Sequence, residues 1–358
     1  MNLEDVLSAA DLQKITDSNQ LVFHSVGDTG ADKRYRVMDE ADVATAMVND
    51  LGAASDAERP AFFYHLGDVV YEFGQPEGYY PQFYEPYCMY KAPIFAIPGN
   101  HDGMIWAESQ VSLEAFLDNF CNPVVKKAEN ASSLHRTTMN QPGVYFTLEA
   151  PFASIVGLYS NTPDKGPGVI STPDPVGPKS AVGQAQKEFL VREVTRLAKA
   201  RKAGVFKAFI LALHHPPYRG TDLTVKGLCD DLDEAFKEGG LWPDLVISGH
   251  EHDYARYTRT INNMQIPYVI AGCGGYNLTP GGTASDPNIK VPQALAQNNP
   301  PLRAYIKGFG YMKIKVSSDK LAVIFNCTDP AYGHSADSII VDLKTHQITE
   351  GAKGVEPL

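Results

Sequence analysis

Short apolar runs, each ending in a polar or glycine-containing turn, recur over roughly the first two thirds of the chain. Runs of this kind are typical of buried strands. The pattern predicts five such strands, at residues 21–26, 61–66, 94–97, 206–213 and 245–248. The second run leads into Gly67-Asp68, where the glycine lets the backbone bend sharply and leaves the aspartate at a strand end.

Longer amphipathic segments separate these strands. Apolar positions at helical spacing predict a helix at 40–54, so the order strand, helix, strand indicates parallel strands with a crossover helix. Two successive strands at 144–149 and 153–158 indicate that a second sheet begins there. Further helices are predicted at 113–120, 184–202 and 228–238, and further strands at 265–271, 311–316, 321–325 and 338–341. The pattern as a whole predicts an α/β protein.

Three segments are less regular. Residues 162–180 and 277–301 are rich in proline, glycine or polar residues, and we expect long loops that are candidates for a lid or rim. Residues 74–90 are dense in tyrosine and proline. We expect this third segment to be a packed loop with short helical pieces; the alternative is an aromatic rim at a substrate entrance.

Domain organisation follows from where the polar motifs described below lie. They extend from residue 28 to residue 252, which argues against two independent domains. We therefore expect one domain over residues 1–358, with its core at about 21–345.

Composition and charge narrow the range of partners. The 358 residues are 44% apolar and 20% charged, as in an ordinary soluble globular protein. The 31 basic and 42 acidic residues give a net charge of −11, without a block of lysines or arginines. This argues against an extended basic groove for nucleic acid. It is compatible with a small phosphorylated substrate, because bound metal ions would be the largest local charges.

Cysteine usage and the first residues bear on the compartment. Five scattered cysteines without a CxxC pair favour reduced thiols over a disulfide set or a zinc ribbon. No apolar run approaches ~18 residues, so no membrane span is expected. Residues 1–20 are polar and acidic, unlike a signal peptide. We expect a cytoplasmic protein if Met1 is the native start, and a secreted or periplasmic one if a signal peptide was removed.

A polar motif follows each of the five apolar runs. The motifs are Gly27-Asp28, Gly67-Asp68, Gly99-Asn100-His101, His214-His215 and Gly249-His250-Glu251-His252. Carboxylates, a carboxamide and imidazoles without thiolates suit hard to borderline metal ions. Two ions about 3.5–4 Å apart can bridge a phosphoryl group and stabilise both the attacking and the leaving oxygen. The motifs together predict a two-metal site in which Asp68 is the shared carboxylate.

Each residue taken alone has a more ordinary explanation. A single Asp28 or Asp68 is more often a turn cap, and a single Tyr71 is more often a packed aromatic residue. His250 and His252 could share one side of a strand by chance. Five motifs, each after its own apolar run, favour the metal interpretation. The glycines at 271–275 are expected to form a tight turn near the site. Histidines outside the motifs are expected to be structural or exposed: His24, His65, His135, His334 and His346.

In their order, these motifs resemble those of the binuclear metallophosphoesterases, also called calcineurin-like, over roughly residues 21–271. The resemblance implies a four-layer α/β/β/α sandwich with two mixed sheets, an α/β fold (α+β in some schemes), in which the C-terminal strands complete the second sheet. The usual first motif, Asp-x-His, is here Asp28-Thr29-Gly30, and Tyr71 stands three residues after Asp68. This combination, with the stretch at 92–102, resembles the purple acid phosphatase branch.

The resemblance also implies a ligand set. The first metal, Fe(III), would be held by Asp28, Asp68, Tyr71 and His252. The second metal, a Zn, Mn or Fe(II) ion, would be held by Asp68, Asn100, His214 and His250. The family pattern His-x-Pro selects His214 rather than His215, which would then lie behind the ligands or face the substrate.

The implied reaction is acid phosphatase-like hydrolysis of phosphate monoesters, with a metal-bound hydroxide as the nucleophile. His101 is the candidate that protonates or orients the leaving oxygen, and Asp102 is expected to orient its imidazole. One alternative is a phosphodiesterase of the same fold, acting on cyclic nucleotides or glycerophosphodiesters, although those enzymes typically keep Asp-x-His. Another is a non-catalytic descendant that binds metal, against which the complete ligand set argues.

Overall fold

The computed structural model describes residues 1–31, 37–105, 107, 109–162, 166–167, 170, 181–219, 226–278, 300–332 and 334–357. The predicted loops at 162–180 and 277–301 lie mostly outside these residues, so their proposed role as a lid or rim stays a prediction. Among the described residues, no helix is both long enough and apolar enough to cross a membrane.

Three parallel strands form one end of the first sheet, and each coincides with a predicted apolar run. They are β1 (Leu21–Val26), β2 (Phe63–His65) and β3 (Ile94–Ala96). Helix α2 (Val37–Ala53) lies between β1 and β2 in the chain, as parallel pairing requires. All three strands are buried along their length, which explains why they are continuously apolar rather than alternating.

The C-terminal strands complete this first sheet. β13 (Gly310–Val316) pairs antiparallel with β1, and the sheet continues through β14 (Lys320–Cys327), β15 (Asp337–Asp342) and β16 (Ile348–Glu350). The expectation that the C-terminal strands complete the second sheet is therefore wrong. Apolar spacing identifies a strand and its buried face, but not the sheet that supplies its partner.

The second sheet is also seven-stranded and mixed. Its parallel centre is formed by β5 (Ala153–Leu158), β8 (Ala208–Leu213), β9 (Leu245–Ser248) and β11 (Met264–Ala271). Its antiparallel flanking strands are β4 (Phe146–Glu149), β10 (Tyr254–Ile261) and β12 (Leu302–Ile306). A separate pair is formed by β6 (Asn161–Thr162) and β7 (Gly166–Pro167). The prediction that this sheet begins near residue 144 is confirmed.

Three apolar clusters separate four layers. The central cluster joins the facing sides of the two sheets, with Phe23 and Tyr64 from one and Ile155 and Ile210 from the other. The outer clusters are formed where α2 packs on the first sheet, and where α5 (Ala181–Lys202) and α6 (Lys226–Gly239) pack on the second. The predicted four-layer sandwich with two mixed sheets is confirmed.

The Tyr-rich segment packs inside the molecule rather than forming a rim. Tyr79, Phe83, Tyr87 and Tyr90 are buried in the cluster beneath α2, which confirms the expected packed loop. Its short helical turns are Pro76–Gly78 and the π-helical Tyr80–Tyr84. The other helical elements are Leu3–Asp5, α1 (Ala9–Asp17), α3 (Asn100–Gly103), α4 (Glu114–Phe120) and Glu129–Ala131. All five cysteines are described, and all are free thiols.

Candidate metal centre

The site lies where the carboxyl ends of parallel strands from both sheets meet. Asp28, Asp68 and Asn100 follow β1, β2 and β3, which are neighbours in the first sheet. His214 and His250 follow β8 and β9, which are neighbours in the second. Ligands of open α/β sheets bind at this end of the strands. Strand order therefore brings together motifs remote in the chain: the His250 amide donates a hydrogen bond to Asp28, 222 residues away.

Sharp turns at the strand ends orient the proposed ligand side chains towards the site. Asp28, Asp68 and His250 all have left-handed backbone conformations, with φ of 56°, 53° and 70°. Such conformations are uncommon for residues other than glycine and cluster at functional sites, where the surrounding structure maintains them. Gly67, immediately before Asp68, has φ of 95°, and an added Cβ there would lie 2.8 Å from Nδ1 of His214. The predicted Gly-Asp turn thus needs glycine for both conformation and space.

One group of donors surrounds the hydroxyl of Tyr71. Its oxygen lies 2.9 Å from Oδ1 of Asp28, 2.9 Å from Oδ2 of Asp68 and 3.4 Å from Nε2 of His252. The His252 Nε2 is in turn 3.4 Å from Oδ1 of Asp28. The structure brings together all four residues proposed for the first metal.

A second group shares Asp68 with the first. Nε2 of His214 lies 3.3 Å from Oδ2 of Asp68 and 3.1 Å from Oδ1 of Asn100. Nδ1 of His250 is also 3.1 Å from that Asn100 oxygen. Nδ1 of His214 lies 2.9 Å from the carbonyl oxygen of Leu66, the kind of contact that fixes the tautomer of a metal-binding histidine. The structure thus also brings together the residues proposed for the second metal, with Asp68 common to both groups.

The two buried carboxylates at the centre of the site would be stabilised by a cation. Asp28 and Asp68 are 0% and 1% exposed, and within the described parts of the chain neither pairs with a lysine or arginine. Burial opposes the charged form of Asp68, but the neighbouring His214 outweighs it and holds the pKa of the carboxyl well below its usual range. Burial lowers and the two aspartates raise the pKa of His214, to about 9 in total. In the absence of metal, a proton on His214 thus offsets only one of the two carboxylate charges.

The donor set fits two metal ions. Asp28, Asp68 and His214 have ligand atoms within 4.8 Å of one another, and so do His214 and His250 together with the adjacent His215, which lies outside the predicted ligand set. Burial first, and then the two aspartates, raise the pKa of Tyr71 far above its usual value, so without metal this residue is a neutral phenol. A bound cation would reverse that preference, because a positive charge beside the hydroxyl favours its deprotonated form.

His101 lies at the edge of the first group. Its backbone N–H donates to Oδ1 of Asp68 at 2.8 Å, its Nδ1 is 2.7 Å from the carbonyl oxygen of Glu72, and its ring packs 4.4 Å from that of Tyr71. The expectation that Asp102 orients this imidazole is wrong. The carboxylate of Asp102 instead accepts backbone N–H groups of Gly99, Val69 and Val70, because the tight turn leaves those buried donors without other partners.

The glycine-rich segment at 271–275 adjoins the site, as expected. The amide of Gly27 donates to the carbonyl of Ala271, and an added Cβ at Gly272 would lie 2.8 Å from Oδ2 of Asp28. The next residue, Tyr276, stacks on Tyr71 with ring centroids 3.5 Å apart and planes 7° apart. Tyr276 is not among the predicted site residues, although its position directly after a glycine turn near the site was a usable signal.

Among the histidines outside the motifs, two are buried and have clear structural roles. His65 bridges Oγ1 of Thr29 and the amide of Gly67, and burial lowers its pKa to about 3. His24 contacts Tyr90 and Asp50 on the outer face of β1. These contacts agree with the expectation that both are structural.

Fold and donor set together define the class of two-metal phosphoesterases. The sequence profile described as Calcineurin-like phosphoesterase matches residues 21–254, and the chain belongs to the calcineurin-like phosphoesterase family. No protein among those with curated functions matches the sequence.

Solved structures share the fold at low identity. The purple acid phosphatase PPD1 from yellow lupin (Lupinus luteus) seeds is 13% identical with a TM-score of 0.58, over 90% of this chain and 54% of that one. GAP50, the anchor in the inner membrane complex of Plasmodium, is 16% identical with a TM-score of 0.59, over 94% and 90%. PhoD is 13% identical with a TM-score of 0.57, over 94% and 72%. The chain spans about half the length of the lupin phosphatase, and these identities show the fold alone.

Proposed function

We propose that this phosphoesterase hydrolyses phosphate monoesters with an Fe(III)–M(II) centre, in the manner of purple acid phosphatases. The observation that carries the proposal is the Tyr71 hydroxyl, which lies 2.9 Å from both Asp28 and Asp68. A phenolate between two carboxylates is a hard donor suited to Fe(III). Asn100, His214 and His250 supply a carboxamide oxygen and two imidazoles, which suit a divalent Zn, Mn or Fe(II) ion.

Gly30 explains why the first motif lacks its usual histidine. A Cβ at this position would lie 2.7 Å from the carbonyl oxygen of Val69 and 3.0 Å from Cα of Val70. The segment that carries Tyr71 therefore packs against Gly30 so closely that no side chain fits between them. Gln82 holds that segment in place, because it accepts from the amide of Tyr71 at 2.8 Å and donates to its carbonyl. The position of Tyr71 therefore requires a glycine at position 30. This combination favours the purple phosphatase branch.

The chain's own residues would position the reacting groups. When bound, the two ions would polarise the phosphoryl group and activate water. Asp68 would hold both ions, and the amide of His101 keeps its Oδ1 in place. Because Nδ1 of His101 is committed to the carbonyl oxygen of Glu72, Nε2 is the atom available to the leaving oxygen, to which it donates when protonated.

The visible spectrum and metal content of the purified protein test the metal assignment. We expect one iron and one further metal per chain, with a tyrosinate-to-Fe(III) charge-transfer band that is absent in Tyr71→Phe. A colourless wild-type protein containing only zinc or manganese would contradict the assignment of Fe(III) to the Tyr71 group. It would leave the family membership intact.

A pair of aryl phosphates tests the reaction. We expect faster hydrolysis of a phosphate monoester than of the corresponding diester across the acidic to neutral pH range. Preference for the diester would support a phosphodiesterase instead. Absence of hydrolysis with two metals bound would support a non-catalytic role.

A further inference from the structure

His215 is a buried histidine that neither metal group uses. It is 2% exposed, and its Nε2 has no hydrogen-bond partner in the part of the chain that the structure describes. Its Nδ1 lies 3.0 Å from Oγ of Ser160. A buried polar atom without a partner carries a desolvation penalty, so its presence requires an explanation.

The hydrogen bonds of Ser160 determine which ring nitrogen of His215 carries the proton. Oγ of Ser160 accepts the backbone N–H of His215 at 3.0 Å. The hydroxyl hydrogen then has Nδ1 of His215 as its acceptor among the described residues. With Nδ1 as the acceptor the Ser160 hydroxyl keeps a partner, so this tautomer is favoured, and in it Nε2 carries the hydrogen. The unpartnered atom is a hydrogen-bond donor.

This donor lies beside the second metal group. The ring of His215 is 4.3 Å from that of His250 and 5.0 Å from that of His214, measured between centroids. One ring nitrogen of each of the three histidines lies within 4.8 Å of the others. Because Nδ1 of His215 is hydrogen-bonded to Ser160, Nε2 is the nitrogen that can bind a group lying among the three histidines.

A fixed positive charge lies close to the same place. Arg219 follows His215 by four residues in the chain, and its side chain is 41% exposed. Its guanidinium donates a hydrogen bond to Oε1 of Glu251 at 3.0 Å. In the chain, Glu251 stands between the two histidines of the last motif. A guanidinium paired with a carboxylate therefore lies beside the last motif.

We propose that the Nε2–H of His215 donates a hydrogen bond to a phosphoryl oxygen bound beside the second metal. This rests on the proposed function and adds a substrate-binding residue to it. The ligand class is a tetrahedral phosphoryl group, whether in the ester or in the released phosphate. A role for His215 as a metal ligand fits less well. It would need the proton on Nδ1, and the Ser160 hydroxyl would then lose its acceptor among the described residues.

The test compares His215→Gln and His215→Leu in protein loaded with two metals. The amide nitrogen of glutamine can occupy the place of Nε2, whereas leucine removes the donor and keeps the bulk. Calorimetric titration with inorganic phosphate gives the dissociation constant, and elemental analysis gives the metal content. We expect His215→Leu to bind phosphate about ten- to a hundredfold more weakly and His215→Gln within about threefold of wild type, both with two metals.

Two further variants keep the test decisive if leucine impairs folding. Ser160→Ala frees Nδ1, lets the ring adopt either tautomer and should weaken phosphate binding by about two- to fivefold with the metals retained. His24→Gln is the matched control, because His24 is equally buried but has partners on both ring nitrogens, Tyr90 and Asp50. It should leave phosphate affinity unchanged.

Three outcomes would overturn the proposal. Loss of one metal in both His215 variants would make His215 a ligand. Unchanged phosphate affinity in His215→Leu and Ser160→Ala, with a wild type that binds phosphate and hydrolyses monoesters, would refute this inference alone. A wild type that holds two metals but neither binds phosphate nor hydrolyses esters would refute the proposed function as well.

Discussion

Asp68, which follows β2, contacts residues of both metal groups. Its Oδ1 accepts the amide of His101, and its Oδ2 contacts the Tyr71 hydroxyl at 2.9 Å and Nε2 of His214 at 3.3 Å. Its Oδ2 is thus in contact with ligand side chains of both metal groups, whereas Asp28 reaches the second group through the backbone amide of His250. Its left-handed backbone and 1% exposure mean that its position is set by the fold rather than by solvent.

Replacing Asp68 should therefore empty both metal positions. Asp68→Asn keeps the shape and the hydrogen bond from His101 but removes the negative charge that the ions need. We expect less than one metal per chain and loss of hydrolysis, with an unchanged far-ultraviolet circular dichroism spectrum. A variant with two metals and full activity would contradict the assignment of Asp68 as the shared ligand.

His101 should act on the leaving oxygen rather than on the metals. His101→Asn is expected to retain both metals and to lower kcat by about 10²–10⁴-fold, the range typical of losing a general acid. The loss should be larger for an alkyl phosphate than for an aryl phosphate, because an alkoxide is the poorer leaving group. Steady-state rates on both substrates measure it. Equal losses would instead indicate a role in positioning.

At the scale of elements, the two sheets pack so closely that the Tyr64 hydroxyl is buried without a hydrogen-bond partner among the described residues. Tyr64 on β2 is fully buried in the central cluster, and its hydroxyl has no partner among the described residues. Opposite it lies Gly157 on β5, where an added Cβ would collide with that hydroxyl and lie 2.8 Å from a methyl group of Ile97. The glycine lets β5 approach the facing sheet.

Removing the unpartnered hydroxyl of Tyr64 should stabilise the fold. We expect Tyr64→Phe to raise the free energy of unfolding by about 1 kcal/mol, since an unsatisfied buried polar group costs about 1–3 kcal/mol. Denaturant titration measures the change. Tyr90→Phe is the matched control, because the Tyr90 hydroxyl lies 3.0 Å from Nδ1 of His24 and its loss should destabilise. A destabilised Tyr64→Phe would mean that the hydroxyl has a partner after all.

At the scale of the whole molecule, a partly buried charge network links the C-terminal strands to the N-terminal half. On β13, the ammonium group of Lys313 lies 3.0 Å from Asp50 of α2 and 3.1 Å from Glu356. Asp50 also lies 2.9 Å from Nε2 of His24 on β1. The network joins both sides of the β1–β13 pairing, which is the contact that places the C-terminal strands in the first sheet.

This network should make stability depend on pH. Burial lowers the pKa of His24 below its ordinary 6.5, although Asp50 opposes the shift, while Lys313 and Glu356 act in opposite directions. Below about pH 6.5 the unfolded chain therefore binds more protons than the folded one, and the stabilisation falls as the pH falls. Thermal unfolding of the metal-loaded protein from pH 7.5 to 5.0 should show a smaller slope for His24→Gln than for wild type. Identical slopes would exclude His24 as a contributor.

Much of the fold was predictable because of how parallel strands are buried. The strands at 21–26, 153–158 and 245–248 have the predicted bounds, since a strand buried on both faces is a continuous apolar run with a clear end. The N-terminal helix α1 and strand β10 were not predicted. Most of α1 is exposed, and the apolar residues of β10 are interrupted by Arg256, Thr258 and Arg259, so neither contains such a run.

The sequence by itself determined the donor types and their places at strand ends. It therefore sufficed to predict a two-metal centre and, from Gly30 and Tyr71, a branch of the family. Only the tertiary structure decided which strands are neighbours, and hence that Asp68 contacts both groups. Tertiary packing also showed that Gly30 excludes a side chain, that Asp102 satisfies backbone amides, and that Ser160 leaves a buried donor on His215. These facts depend on distances between segments remote in the chain, which residue spacing does not encode.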